Sequence, residues 1–80
     1  MPRMIATQIK PSRTILAENL TRILGQRGRG SARRLAEQLG WTESRISQLR
    51  QGLAGNPDTA TLDAIAEAVG TTAGELLLEN

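Results

Sequence analysis

Residues 32–51 read ARRLAEQLGWTESRISQLRQ, from Ala32 to Gln51, and the spacing within this window decides the fold. Leu35, Ala36 and Leu39 recur at helical spacing, Gly40 interrupts them, and Ile46 and Leu49 resume the pattern. This order predicts two helices joined at a steep angle by a turn of three or four residues, a helix-turn-helix. Ala36 is small, and a larger side chain there would hold the second helix away. Gly40 falls where the turn calls for positive φ, which glycine adopts without a Cβ penalty. The second helix of such a motif can enter the major groove of DNA.

Upstream of the window, residues 1–11 read as an N-terminal arm. Pro2 and Pro11 bracket a weak alternation of Ile5, Thr7 and Ile9, consistent with disorder or with a short strand paired to another subunit. Residues 12–80 form the domain. Ser12 or Thr14 is the expected cap of a first helix whose apolar stripe is Ile15, Leu16, Leu20, Ile23 and Leu24. Gly25, Gly28 and Gly30 are expected to end it in a flexible, Arg-rich loop. Ser31 is the expected cap of the second helix and Thr42 that of the third, which turns Ile46, Leu49 and Leu53 inward.

Downstream, a loop over residues 52–56 precedes Pro57, which with Asp58 or Thr59 opens a fourth helix. Leu62, Ile65, Ala66 and Val69 make its inner face, and Gly70 ends it. Thr72 to Glu75 reads as a capping box, with the Glu75 side chain reaching back, before a short fifth helix carrying Leu76, Leu77 and Leu78. The fold class is all-α, with five helices and no significant sheet.

Composition narrows the function. The 80 residues suit one small domain, and the absence of cysteine excludes disulfides, thiolate zinc sites and thiol catalysis. Histidine and tyrosine are absent and there is one lysine, so the usual general bases and metal ligands are missing; no enzyme, metal or cofactor is expected. Trp41 is the only aromatic residue, which leaves an aliphatic core suited to helices. No apolar run is long enough for a membrane span or a signal peptide, and a soluble cytoplasmic protein is expected.

Net charge is only +2, yet it is lopsided. All ten basic residues and three acids lie in residues 1–50, a local charge of +7, whereas residues 51–80 hold five acids and carry −5. Nine of the bases are Arg, whose planar fork grips phosphate oxygens. The basic side therefore suits a polyanion, double-stranded DNA being one, with the acidic part turned away.

A helical wheel assigns the reading face. With Ile46 at 0° and about 100° per residue, Leu49 falls near about 300° and Leu53 near about 340°. The opposite face holds Ser44, Ser47, Gln48 and Gln51, flanked by Arg45 and Glu43. Base-edge candidates are Thr42, Glu43, Ser44, Arg45, Ser47 and Gln48. Gln48 can pair with adenine N6 and N7, an inward-swung Arg45 with guanine O6 and N7, and Glu43 can accept from cytosine N4. The Thr42 methyl can meet a thymine methyl. Phosphate candidates are Ser31, Arg33, Arg34, Gln51 and Asn56, with backbone N–H groups at the starts of helices 2 and 4. Arg3, Lys10 and Arg13 could follow the backbone or a minor groove, and Arg27 and Arg29 could meet phosphate. Trp41 either stacks on a nucleotide or covers the junction of helices 2 and 3.

From Ser31 to Leu76 the chain resembles the phage repressor and Cro-like (Xre-type) helix-turn-helix family. The matching pieces are SARRLAEQLG, WTESRISQLRQG, NPDTATLDAIAEAVG and TTAGELL, in family order and spacing. The resemblance implies a five-helix, lambda-repressor-like domain that binds operator DNA as a homodimer and regulates transcription, with base contacts at positions that largely coincide with the wheel's. Three features depart from the family pattern. Ala32 stands where the family often has a phosphate-supporting Gln, and Arg50 where it usually has an acid. Glu18 is one partner for Arg50; solvent or phosphate is the other. The loop before helix 2 is also about one residue longer than usual. Besides a repressor, the fold could serve as an antitoxin or adaptor module, with Leu76, Leu77 and Leu78 offered to a protein partner or a second copy.

Overall fold

A computed structural model describes residues 10–79, so the expected arm falls outside the described residues except for its last two. Among the described residues there are five helices and no strand: α1 (Ser12–Arg27), α2 (Ser31–Leu39), α3 (Glu43–Gln51), α4 (Thr59–Val69) and α5 (Ala73–Leu76). Twelve side chains from all five helices meet in one aliphatic core, including Leu16, Leu20, Leu35, Ile46, Ile65 and Leu76. Each buried Leu or Ile is worth about 1.5–3 kcal/mol of transfer free energy, the main stabilising contribution here.

Helix α1 buries Leu16, Leu20 and Leu24 from successive turns, with Ile15 and Ile23 only half-buried. It runs through Gly25 and ends at Gly28, whose φ is 92°. One internal glycine costs about 1 kcal/mol relative to Ala, less than the burial of Leu24 returns. Neither Ser12 nor Thr14 caps the helix. Pro11 occupies the cap position, and Asn56 Oδ1, from the loop before α4, accepts the Arg13 N–H at 3.2 Å. The cap is supplied across the fold.

Ser31 is likewise not a cap. It is the first residue of α2, after Gly30 in the left-handed region, and its hydroxyl donates to the Leu24 carbonyl at 2.8 Å. That bond ties the end of α1 to the start of α2. Leu35 and Ala36 are buried, and Leu39 is half-buried. Gly40 has φ 72°, as the turn demands; its N–H donates to Glu37 O at 3.3 Å, and the Trp41 N–H to Ala36 O at 2.9 Å. These two bonds satisfy last-turn carbonyls and close the helix.

Thr42 caps α3 by accepting the Arg45 N–H at 3.1 Å, and Ile46 and Leu49 face the core. Leu53 does not join them; it is 70% exposed. The helix ends at Gln51 because Gly52 takes φ 74°, so the helical wheel has no meaning at Leu53. Asp58 caps α4 by accepting the Thr61 N–H at 2.8 Å, and Leu62, Ile65, Ala66 and Val69 are buried as the periodicity predicts. Thr72 accepts the Glu75 N–H at 3.1 Å, but among the described residues the Glu75 carboxylate makes no return bond. Helix α5 stops at Leu76, leaving Leu77 and Leu78 beyond it.

Asn19 lies in the middle of α1 and is 1% exposed. Its amide donates to Leu76 O at 2.7 Å and Leu78 O at 2.9 Å, while its Oδ1 accepts from Arg22 at 3.3 Å. A buried amide with satisfied donors holds the C-terminal segment against α1.

Candidate nucleic-acid interface

The three residues from Gly40 to Thr42 set α3 across α2. With Ile46 (0% exposed) and Leu49 (5%) anchored in the core, the rest of α3 is displayed outward. Glu43, Ser44, Arg45, Ser47, Gln48 and Gln51 are all exposed, as is Thr42 ahead of the helix. The base-edge candidates thus all lie outside the core. Along α3, Gln51 Nε2 donates to Ser47 Oγ at 2.9 Å, one helical turn away, which orients both side chains.

Arg45 is held in a defined place. Its guanidinium carbon lies 3.8 Å from the centroid of the Trp41 ring, a cation–π stack. Arg45 also shares a recess with Asp58. The Thr61 hydrogen bonds draw the Asp58 carboxyl below its ordinary value, and the Arg45 charge adds to the effect. Trp41 is half-buried against the core, so it covers the junction of α2 and α3 and offers its outer face to Arg45.

The phosphate candidates are less uniform. Arg33 and Arg34 are exposed on α2, with Arg33 pairing with Glu37 at 3.4 Å. Gln51 lies on the α3 face. Asn56 Oδ1 takes the Arg13 N–H and, at 3.4 Å, its Nη1, which leaves the Asn56 amide NH2 to donate outward. Ser31 differs: its side chain is turned inward and its one proton goes to Leu24 O. Ala32 and Arg33 present N–H groups that meet no acceptor among the described residues, so the start of α2 is open. At the start of α4 the Asp58 carboxylate already caps the helix and places a negative charge there.

Two other basic residues, Lys10 and Arg27, are engaged within the fold. Lys10 binds both Glu18 oxygens, at 3.0 and 3.1 Å, so Glu18 is not the partner of Arg50. Arg27 Nη2 donates to Val69 O at 2.6 Å, capping the end of α4 rather than facing outward. Arg29 is exposed between Gly28 and Gly30. Arg50 is half-buried, and its Nε is closed off from solvent without a hydrogen-bond partner. An unsatisfied buried donor costs about 1–3 kcal/mol. Arg3 lies outside the described residues.

Leu76 is 1% exposed and belongs to the core, so it cannot contribute to a docking surface. Leu77 is half-buried and Leu78 is 62% exposed. No helix among the described residues is long and apolar enough to cross a membrane.

Sequence reasoning missed Asn19, the Arg45–Trp41 stack and the distant cap from Asn56. The stack had a visible signal, since Trp41 and Arg45 are four residues apart at the start of a helix. Asn19 had a weaker one, as a polar residue set inside the Leu16–Leu20–Leu24 stripe.

Two amphipathic helices joined by a glycine turn, each burying one face in the shared core, make α2 and α3 a helix-turn-helix. A family model for the Cro/C1-type HTH DNA-binding domain matches residues 19–78, and the chain belongs to that family. The five helices agree with a lambda-repressor-like fold. No curated protein and no solved structure matches the chain.

Proposed function

We propose that this protein is a sequence-specific regulator of transcription that lays α3 in the major groove of double-stranded DNA and represses by occupying its operator. The observation that carries this reading is the division of α3. Ile46 and Leu49 are sunk in the core, and an unbroken polar surface from Thr42 to Gln48 is displayed on the other side. Thr42, Glu43, Ser44, Arg45, Ser47 and Gln48 read base edges. Arg33, Arg34, Gln51, Asn56 and the open N–H groups of Ala32 and Arg33 hold phosphates on either side.

Two copies on a twofold operator are the natural arrangement, with recognition helices roughly 34 Å apart. The exposed Leu78 favours a contact outside the DNA surface, either with that second copy or, in an antitoxin or adaptor role, with another protein.

Selection of bound sequences from a random duplex pool tests the main reading. A palindromic consensus with half-sites about one helical turn apart is the expected outcome. Gln48→Ala should then lose about 1–3 kcal/mol at one base position, leaving the others as they were. A pool that stays random after repeated selection would refute sequence-specific binding.

A further inference from the structure

The reading face leaves Arg50 unexplained. It lies in the crease between α1 and the end of α3, where the Thr21 hydroxyl donates to its carbonyl at 3.4 Å. Thr21, Ser47, Arg50 and Gln51 line a recess there of about 310 Å³, ample for a tetrahedral oxyanion. None of these four residues is acidic. An adjoining recess shares Thr21, Arg50 and Gln51 and adds Glu18, but both Glu18 oxygens are bound by Lys10.

Thr21 spends its hydroxyl proton on the Arg50 carbonyl, but the other three side chains keep protons to give. Arg50 has an Nε–H with no acceptor. Gln51 gives one amide proton to Ser47 Oγ, which leaves its second amide proton and the Ser47 hydroxyl proton for an outside acceptor. A helix C-terminus ordinarily repels anions through its exposed carbonyls. Here Gln48 O accepts the Leu53 N–H at 2.9 Å, Leu49 O accepts the Gly52 N–H at 3.3 Å, and Arg50 O takes the Thr21 hydroxyl. With those carbonyls satisfied, the guanidinium charge dominates.

We propose that the recess between α1 and the end of α3 is a phosphate site, and that on DNA it takes one backbone phosphate. Arg50 Nε is closed off from solvent in the free protein, so the guanidinium turns toward the recess on binding, and Nε–H and one Nη–H then meet two phosphate oxygens in the fork geometry arginine favours. Gln51 completes the site from the α3 side with its second amide proton. The contact fixes the register of α3 and carries no base preference. The identity of the phosphate as DNA rests on the function proposed above; the anion chemistry of the recess does not.

Two arms on the full chain test it. In the first, inorganic phosphate is titrated into the free protein and the Arg50 Nε–H is followed by nitrogen-15 NMR, against sodium chloride at equal ionic strength. A saturable shift at Arg50, Ser47 and Gln51 that disappears in Arg50→Gln is expected. In the second, duplex binding is measured across salt concentration. Arg50→Gln should weaken binding to all sequences by a similar factor and flatten the slope of log K against log salt by about 0.9. Arg50→Lys should keep the slope while binding less tightly, which separates lost charge from lost fold. A phosphate response no larger than that of chloride overturns the site, and a wild-type salt slope in Arg50→Gln overturns its assignment to DNA. If the wild-type chain bound no duplex, the major-groove reading would fail instead, and the phosphate titration would decide the recess by itself.

Discussion

On the proposed function, Arg45 is a side chain set in place for recognition before any DNA arrives. A free arginine loses rotamer entropy when it docks on a base, which weakens the contact it makes. Here the Trp41 ring lies 3.8 Å from the guanidinium, and Asp58 shares the recess that Arg45 lines. If Arg45 reads a base as proposed, Trp41 is its positioning residue, and the ring face that Arg45 covers is not open to a nucleotide. Trp41→Ala should release Arg45, flattening base preference at one operator position and lowering affinity by about three- to tenfold, in line with a cation–π contact of about 0.5–1 kcal/mol plus the restored freedom. Trp41→Phe should recover part of the preference. Titrations against single-base operator variants provide the check, with melting curves to subtract any loss of fold. An unaltered preference profile in Trp41→Ala would mean that the stack has no part in reading.

At the level of elements, what the sequence made legible was local and what it hid was distant. The caps at Thr42, Asp58 and Thr72 all accept an N–H three residues on, and Gly40 acts on its own turn. Residue type and short spacing suffice for such features. The outward face of α3 was legible for the same reason, because the wheel of α3 depends only on Ile46 and Leu49 being buried. By contrast, Asn56 caps α1 from 43 residues away, and Asn19 reaches Leu76 O across 57. Ser31 was misread because a serine after glycine can face either the helix start or the preceding helix, and packing against Leu24 O decides which. Leu53 was misread because periodicity was carried past the glycine that ends α3. The Asn19 clamp makes its own prediction. Asn19→Ala would leave the Leu76 carbonyl without its donor in the interior, destabilising the domain by about 1–3 kcal/mol. Hydrogen exchange should show the amides of α5 and of Leu77 and Leu78 opening first, ahead of those in α2 and α3. Unchanged stability together with unchanged protection of α5 would show that the clamp is dispensable.

Across the whole molecule, charge is sorted by element, and the sorting has consequences that net charge does not capture. The bases of the helix-turn-helix lie on α2 and α3, whereas α4 carries Asp63 and Glu67 on its exposed side and packs chiefly on α2 and α5. At about 0.15 M salt the screening length is about 8 Å, so a charge acts mainly on what lies close to it. Removing an acid should therefore matter by place. Glu37 holds Arg33 at 3.4 Å in an exposed pair on α2, a pair of the kind worth about 0.3–0.5 kcal/mol. Glu37→Gln should free Arg33 for phosphate and strengthen binding to every duplex by about two- to threefold at low salt, with the gain fading as salt rises. Glu67→Gln changes net charge by the same amount and should leave affinity near the wild-type value. Parallel anisotropy titrations of the two variants at several salt concentrations decide the matter. Equal gains would show that the chain meets DNA as a diffuse positive body, whereas a gain confined to Glu37→Gln places the docking surface on the side of α2 that carries Arg33.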